Sequence, residues 1–337
     1  MGSGVTGSGV TGSSVTGSSV TGSSVTGSSP LLFTVGEVLA VFLPTDSRTI
    51  DSASAYRRTV AGSESNVAAA TARLGNRARF VTAVGSDALG DAVENTLREC
   101  GIDVRAHRVP QPTGVIVRDL ARGGPCQSVH LRSGSAATSI GPEMIDEAWT
   151  SDVAAVFVTG ITAVRSASAR LAVERTVQLA RSNGALVIVD PNLRLTLGTA
   201  ADFTRALDCV RGNADIAIGD LAELALMAGS TEDAAVAALV NQGCRIVVTK
   251  LGAAGAVATD GALTHHTPSR AISVVDTVGA GDAFAAGFIA ATLDGAGIRA
   301  ALEWASAVAA PVVGASGDIE GLPTRAQVQD TLKEAHR

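Results

Sequence analysis

From Leu31 onward, short apolar runs alternate with longer Ala-rich stretches of helical period. FVTAVG at 80–85 precedes a helical segment at 88–99, and AAVFVTG at 154–160 precedes another at 167–182. ALVIVD at 185–190 then leads into 200–211, and DIAIG at 215–219 into 221–228. Runs rich in β-branched residues and bounded by Gly, Asn or charge read as buried strands. The alternation therefore predicts βαβ units around a mostly parallel sheet with helices on both faces, a three-layer α/β/α arrangement.

Two segments break this rhythm, at about 39–60 and about 107–137. In the second, TGVIVRDL and QSVHLRSG flank a Gly123-Gly124-Pro125 turn, the pattern of a β-hairpin. Strands that bring no helices of their own must lie off the main sheet. The two insertions are expected to form a small β lid over its edge, with ligand bound beneath.

Residues 2–26 are five copies of GSGVT or GSSVT, continued by Gly27, Ser28 and Ser29. Such a repeat buries almost no apolar surface, so residues 1–29 are expected to be a disordered tail. It lacks the basic start and apolar centre of a signal peptide. Residues 30–337 are left for one large α/β domain with its lid insertions.

Composition narrows the function classes. Hydrophobic residues make up 46% of the chain, yet in short runs unlike a membrane span. The formal net charge is −6 and the arginines are scattered without aromatic partners, which argues against a nucleic-acid partner. Cys100, Cys126, Cys209 and Cys244 show no CxxC or metal-ligand spacing and read as reduced thiols of a cytoplasmic protein.

The strongest chemical signal is Asp276-Thr277-Val278-Gly279-Ala280-Gly281-Asp282-Ala283-Phe284. It is read as the end of a strand, AISVV, and the opening of an Ala-rich helix running to about Leu293. Gly279, Ala280 and Gly281 have little or no side chain, so their amides can approach an anion at the positive end of a helix. Asp282 stands at the same helix start, where a carboxylate can act as general base. A base beside an anion hole points to phosphoryl transfer. A lone Gly-x-Gly would be an ordinary helix entry; nine such residues in order are more specific.

This stretch resembles the signature of the ribokinase-like (PfkB) carbohydrate kinases, and further matches run in order from Leu31 to about Arg325. The resemblance implies a ribokinase-like fold, ATP and Mg²⁺ as cofactors, and a small sugar or sugar acid as substrate. Gly62-Ser63-Glu64-Ser65-Asn66 resembles the family's other signature, in which a glycine pair and the Asn contact sugar hydroxyls; Ser63 replaces the second glycine. Read from the residues alone, Asn66 could simply cap a helix over 67–74.

Asp190-Pro191-Asn192-Leu193-Arg194 follows a buried strand, at the strand end where open α/β sheets bind ligands. The resemblance puts Asn192 and Arg194 near substrate and phosphates. Asp220-Leu221-Ala222-Glu223 resembles an N-x-x-E element that supports Mg²⁺ through water, with Asp220 where Asn is usual. Thr249 to Gly255 joins two strands, and the resemblance assigns ATP to Thr249, Gly252 and Gly255; Lys250, one of two lysines, carries no assignment. In members that use a monovalent cation such as K⁺, Asp276 and the carbonyl of Val278 correspond to its ligands. The pair His265-His266 and the acids Glu143, Asp146 and Glu147 read as solvated surface.

For the substrate, His130-Leu131-Arg132 with Gly134-Ser135-Ala136-Ala137 resembles a stretch of the 2-keto-3-deoxygluconate kinases in which Arg132 would reach a carboxylate, although two tyrosines are absent. Gly36-Glu37 also fits the fructokinase and ketodeoxygluconate kinase branch, beside the plainer reading of a strand-end glycine with a solvated acid. Fructose is the alternative acceptor. A non-catalytic sugar or nucleotide sensor is the rival of another class, suggested by Ser63, Asp220 and the missing tyrosines and opposed by intact Asp282 and its glycines. The exposed edge of a lid would suit a homodimer.

Overall fold

A computed structural model describes residues 29–120, 127–271 and 274–334, together with Met1, Gly2 and Gly4. Most of the N-terminal repeat, the Gly123-Gly124-Pro125 turn and Cys126 lie outside the described residues.

The strands, in chain order, are β1 Leu31–Val35, β2 Leu39–Pro44, β3 Tyr56–Ala61, β4 Arg77–Gly85, β5 Asp103–Val109, β6 Val115–Arg118 and β7 Ser128–Leu131. They continue with β8 Val153–Thr159, β9 Leu186–Asp190, β10 Ile216–Gly219, β11 Ile246–Lys250, β12 Ala256–Thr259 and β13 Thr264–Thr267. Among the described residues, nine of them form one sheet in the order β13-β12-β11-β10-β9-β8-β1-β4-β5. From β11 to β5 every pairing is parallel, and β12 and β13 add an antiparallel edge.

Period-2 alternation divides the apolar side chains between two cores. On β8, Ala155 and Phe157 face one core, whereas Val156 and Val158 face the other. The first is closed by the helices Ser63–Arg73, Ala280–Leu293 and Ile298–Val313, through residues such as Val67, Phe288 and Leu302. The second is closed by Pro142–Ala148, Ala167–Asn183, Leu221–Ala228 and Glu232–Asn241, through Ile145, Val173, Leu224 and Leu239. The expected three layers are present.

The two interruptions meet in a second sheet, of order β3-β2-β6-β7. β2 pairs antiparallel with β3 and parallel with β6, and β6 pairs antiparallel with β7 as the hairpin reading predicts. Ion pairs fasten this sheet to the main body, among them Arg57 to Glu320 at 2.7 Å and Arg118 to Asp276 at 2.8 Å.

Three element boundaries differ from expectation. AISVV is not a strand over its described residues: the amides of Val275 and Asp276 both donate to the Val313 carbonyl, at 2.8 and 3.1 Å, so no sheet neighbour can use them. The first helix begins at Ser63 rather than 67, which puts Asn66 inside its first turn and removes the capping reading. The helix expected over 200–211 ends at Ala206 and gives way to turns. No helix among the described residues is long and apolar enough to cross a membrane.

Candidate active site

The main sheet reverses its winding between β8 and β1, and open α/β sheets bind ligands at the carboxyl ends of strands beside such a reversal. A cavity of about 990 Å³ opens there between the two sheets. Leu39, Val41, Ile116 and His130 of the small sheet wall one side, opposite Gly279, Gly281 and Asp282.

Gly279 begins the Ala280–Leu293 helix with φ of 79°, a conformation that favours glycine, and a Cβ there would come within 2.6 Å of the Asp318 carbonyl oxygen. Among the described residues, the amides of Gly279, Gly281 and Asp282 donate to no protein acceptor, while those of Ala280 and Ala283 donate to Thr277 and Gly279. Unused donors at a helix start form an anion site.

Asp282 is held on both oxygens. Ser63 Oγ donates to Oδ1 at 2.6 Å and Asn66 Nδ2 to Oδ2 at 2.9 Å. Asn192 in turn donates to Ser63 Oγ at 2.8 Å. Desolvation raises the Asp282 pKa above the ordinary aspartate value, against the hydrogen bonds from Ser63 and Asn66 and the charges of Lys250 and Arg194. Gly62, whose φ is 149°, lies against the Glu37 carbonyl, which leaves no room for a Cβ. Ser63, in contrast, is helical and has room, so the departure from the glycine pair falls where a side chain fits.

Several sequence assignments require correction. Thr249 is buried within β11 and does not line the cavity, because strand alternation turns it away; its neighbour Lys250 does line it. Lys250 is not incidental: its Nζ lies 2.8 Å from Asp190 and 3.5 Å from Glu223. These carboxylates hold its pKa above the usual lysine value, whereas burial pushes Asp190 up to about 6. Glu37 is no solvated acid but 2% exposed, accepting from Ser135 Oγ at 3.0 Å and pairing with Arg132 and Arg165. Arg132 is therefore already engaged.

Asp220 and Glu223 both face the cavity, and they form a capping box for the Leu221–Ala228 helix. Glu223 Oε1 also accepts from the Leu193 amide at 3.0 Å and fixes the loop that carries Asn192 and Arg194, while Oε2 accepts from the Asp220 amide at 2.9 Å. Among the described residues Arg194 makes no ion pair; it is exposed at the cavity wall and donates to the Leu193 carbonyl at 3.1 Å. Gly252 and Gly255 line the same end. Asp276 lies behind the anion turn, 1% exposed, and accepts from the Val278 amide at 3.0 Å. Among the described residues no three His, Cys, Asp or Glu side chains converge as a metal cage.

Arg118, Arg165, Asp318 and Glu64 escaped the sequence reading. Glu64 is buried, accepts from Thr159 Oγ1 and Thr162 Oγ1 at 2.6 Å each, and is pushed up to about 7 by desolvation. Glu64 stands inside the Gly62–Asn66 signature and Arg165 closes the helical turn directly after a strand end, which were the signals of position available.

Residues 29–325 match the family described as pfkB family carbohydrate kinase. The chain is 32% identical over 305 residues to the 2-dehydro-3-deoxygluconokinase of Bacillus subtilis, covering 89% of this chain and 94% of that one. It is 28% identical over 311 residues to the 5-dehydro-2-deoxygluconokinase of Clostridium perfringens, covering 89% and 92%. Its fold matches an Escherichia coli ribokinase-like protein solved with ATP and Mg²⁺, with a TM-score of 0.83, 24% identity and coverage of 90% and 99%.

Proposed function

The chain belongs to the pfkB family of carbohydrate kinases, and from that premise we propose that it phosphorylates a hydroxyl of 2-keto-3-deoxygluconate at the expense of ATP. Asp282 is the proposed general base. Its two oxygens are oriented by Ser63 and Asn66, and its raised pKa makes it a better proton acceptor than a free aspartate. The free amides of Gly279, Gly281 and Asp282 are the proposed anion hole.

ATP, when bound, supplies the phosphoryl group, and Mg²⁺ screens its charge. Arg194, Asn192, Gly252 and Gly255 are proposed to hold the nucleotide, with Asp220 and Glu223 meeting Mg²⁺ through water. Unused amide donors, an unpaired guanidinium and carboxylates on one wall fit these groups. Gly62, Ser63 and Asn66 face the sugar, and the small sheet excludes water from the reacting atoms.

The observation that carries the sugar-acid reading is the cluster of Glu37, Arg132 and Arg165. Two guanidinium groups share one buried carboxylate, which leaves one positive charge in excess beside the cavity. Among the described residues the buried Nε of Arg132 has no hydrogen-bond partner, and that of Arg165 lies 3.3 Å from Glu37 Oε2 without forming a hydrogen bond. A substrate carboxylate would meet that excess. A neutral ketose such as fructose is the second reading, favoured by the extent to which Glu37 already neutralises Arg132. Phosphotransfer from ATP to 2-keto-3-deoxygluconate, 5-dehydro-2-deoxygluconate and fructose separates the readings: the sugar acid should give the highest kcat/KM, and a preference for fructose would refute that assignment.

A further inference from the structure

We propose that Arg118 is a positioning residue that takes the place of a monovalent cation behind the anion turn, so that the small sheet rather than dissolved potassium completes the phosphoryl site. The inference rests on reading Asp282 and the Gly279 turn as the transfer site.

Arg118 ends β6 of the small sheet, yet its side chain is buried in the main body and faces two acids. Nη1 lies 2.8 Å from Asp276 Oδ2, and Nη2 lies 3.2 Å from Asp318 Oδ1. Each acid leads to one half of the catalytic apparatus. Asp276 accepts from the Val278 amide through its other oxygen, and so fixes the turn immediately before Gly279. Asp318 Oδ2 accepts from Asn66 Nδ2 at 3.2 Å, the same amide that donates to Asp282. The Asp318 backbone also sets the space that requires Gly279 to lack a Cβ. One guanidinium thus anchors both the anion hole and the base, and it comes from the sheet that walls the substrate side.

The residues do not fit a cation on Asp276. Both of its oxygens are engaged, one by an amide and one by a buried guanidinium, so a metal ion there would sit against like charge at close range. Burial pushes Asp318 up to about 6, with Arg118 the main influence in the other direction. The fixed charge of an arginine, which does not titrate in the physiological range, gives the turn a counter-charge independent of salt. Withdrawal of the small sheet would remove that counter-charge, so the anion turn is complete only with the sheet seated.

The test compares wild-type protein and Arg118→Ala in potassium chloride and in tetramethylammonium chloride at equal ionic strength. Phosphotransfer to 2-keto-3-deoxygluconate and thermal melting are both measured. Wild-type kcat should agree within about twofold between the salts, with one melting temperature, because a salt-independent charge is already in place. In tetramethylammonium, Arg118→Ala should lose about 10- to 100-fold in kcat with little change in KM for ATP, as expected for a preorganised electrostatic group. Potassium or free guanidinium should restore much of the loss and raise its melting temperature, and Arg118→Lys should retain more activity than the alanine variant. Strong potassium activation of the wild type overturns the proposal, as does a folded Arg118→Ala that keeps full turnover without potassium. Were the alanine variant not to fold, the wild-type comparison alone would decide. Absence of any product from 2-keto-3-deoxygluconate would count against the substrate assignment only, and the salt comparison would then be made with fructose and with melting temperature.

Discussion

Ser63 Oγ donates to Asp282 Oδ1 at 2.6 Å, joining two residues 219 positions apart at the amino ends of two helices packed side by side on the same core. This hydrogen bond stabilises the charged form of Asp282 and opposes the effect of burial. Ser63→Ala should therefore raise the Asp282 pKa further. A hydrogen bond to a charged group is worth about 1.5–3 kcal/mol, so the acid limb of kcat/KM should move up by about one to two units. A pH–rate profile of the variant checks this, and an unshifted limb would mean that the titrating group is not Asp282.

Arg132→Ala should separate acidic from neutral acceptors. Loss of a charge-assisted partner costs about 1.5–3 kcal/mol, equivalent to about a 10- to 150-fold rise in KM for 2-keto-3-deoxygluconate. The KM for fructose should change much less. Parallel kinetics with both acceptors provide the measurement, and equal losses would point to collapse of the cluster around Glu37 instead.

Glu64 links pH to stability with a defined sign. Its folded pKa of about 7 stands above the ordinary glutamate value of 4.5, so the folded chain holds the proton more tightly than the unfolded chain. The associated stability is fully present below the unfolded value and is lost as pH rises through about 7. Glu64→Gln cannot ionise and can keep an oxygen toward Thr159 and Thr162. Relative to wild type it should gain up to about 3 kcal/mol between acidic and mildly alkaline pH. Urea denaturation at pH 4.5 and pH 8 measures the difference; a gap independent of pH would contradict the assignment.

What could be read beforehand followed sequence-local physics. The alternation of β-branched and Ala-rich runs predicted the parallel sheet, and TGVIVRDL with QSVHLRSG predicted the β6–β7 hairpin because register and turn chemistry act over a few residues. Asp282 and its glycines were visible as a motif. What stayed hidden depends on distant partners. Arg118 looks like an ordinary strand-end arginine until Asp276 and Asp318 are brought to it from 158 and 200 residues away. The burial of Glu37 stays hidden because nothing nearby in sequence announces Arg132 and Arg165, which left the solvated acid open beside the kinase-branch reading. AISVV reads as a strand because β-branched residues favour one, but the Val313 carbonyl accepts from its last amide, that of Val275, and from the amide of the following Asp276.

The central claim is that Asp282 takes the proton of the attacking hydroxyl while neighbouring amides hold the phosphoryl group. Asp282→Asn keeps the size of the side chain and can still accept from Ser63, but it cannot accept a proton at neutral pH. A positioned general base contributes about 10²- to 10⁴-fold in rate. The decisive measurement is kcat of Asp282→Asn on its best acceptor, taken alongside the Kd for ATP and for the acceptor. A fall in kcat of about that size with both Kd values nearly unchanged is the predicted result; turnover close to wild type would contradict the account.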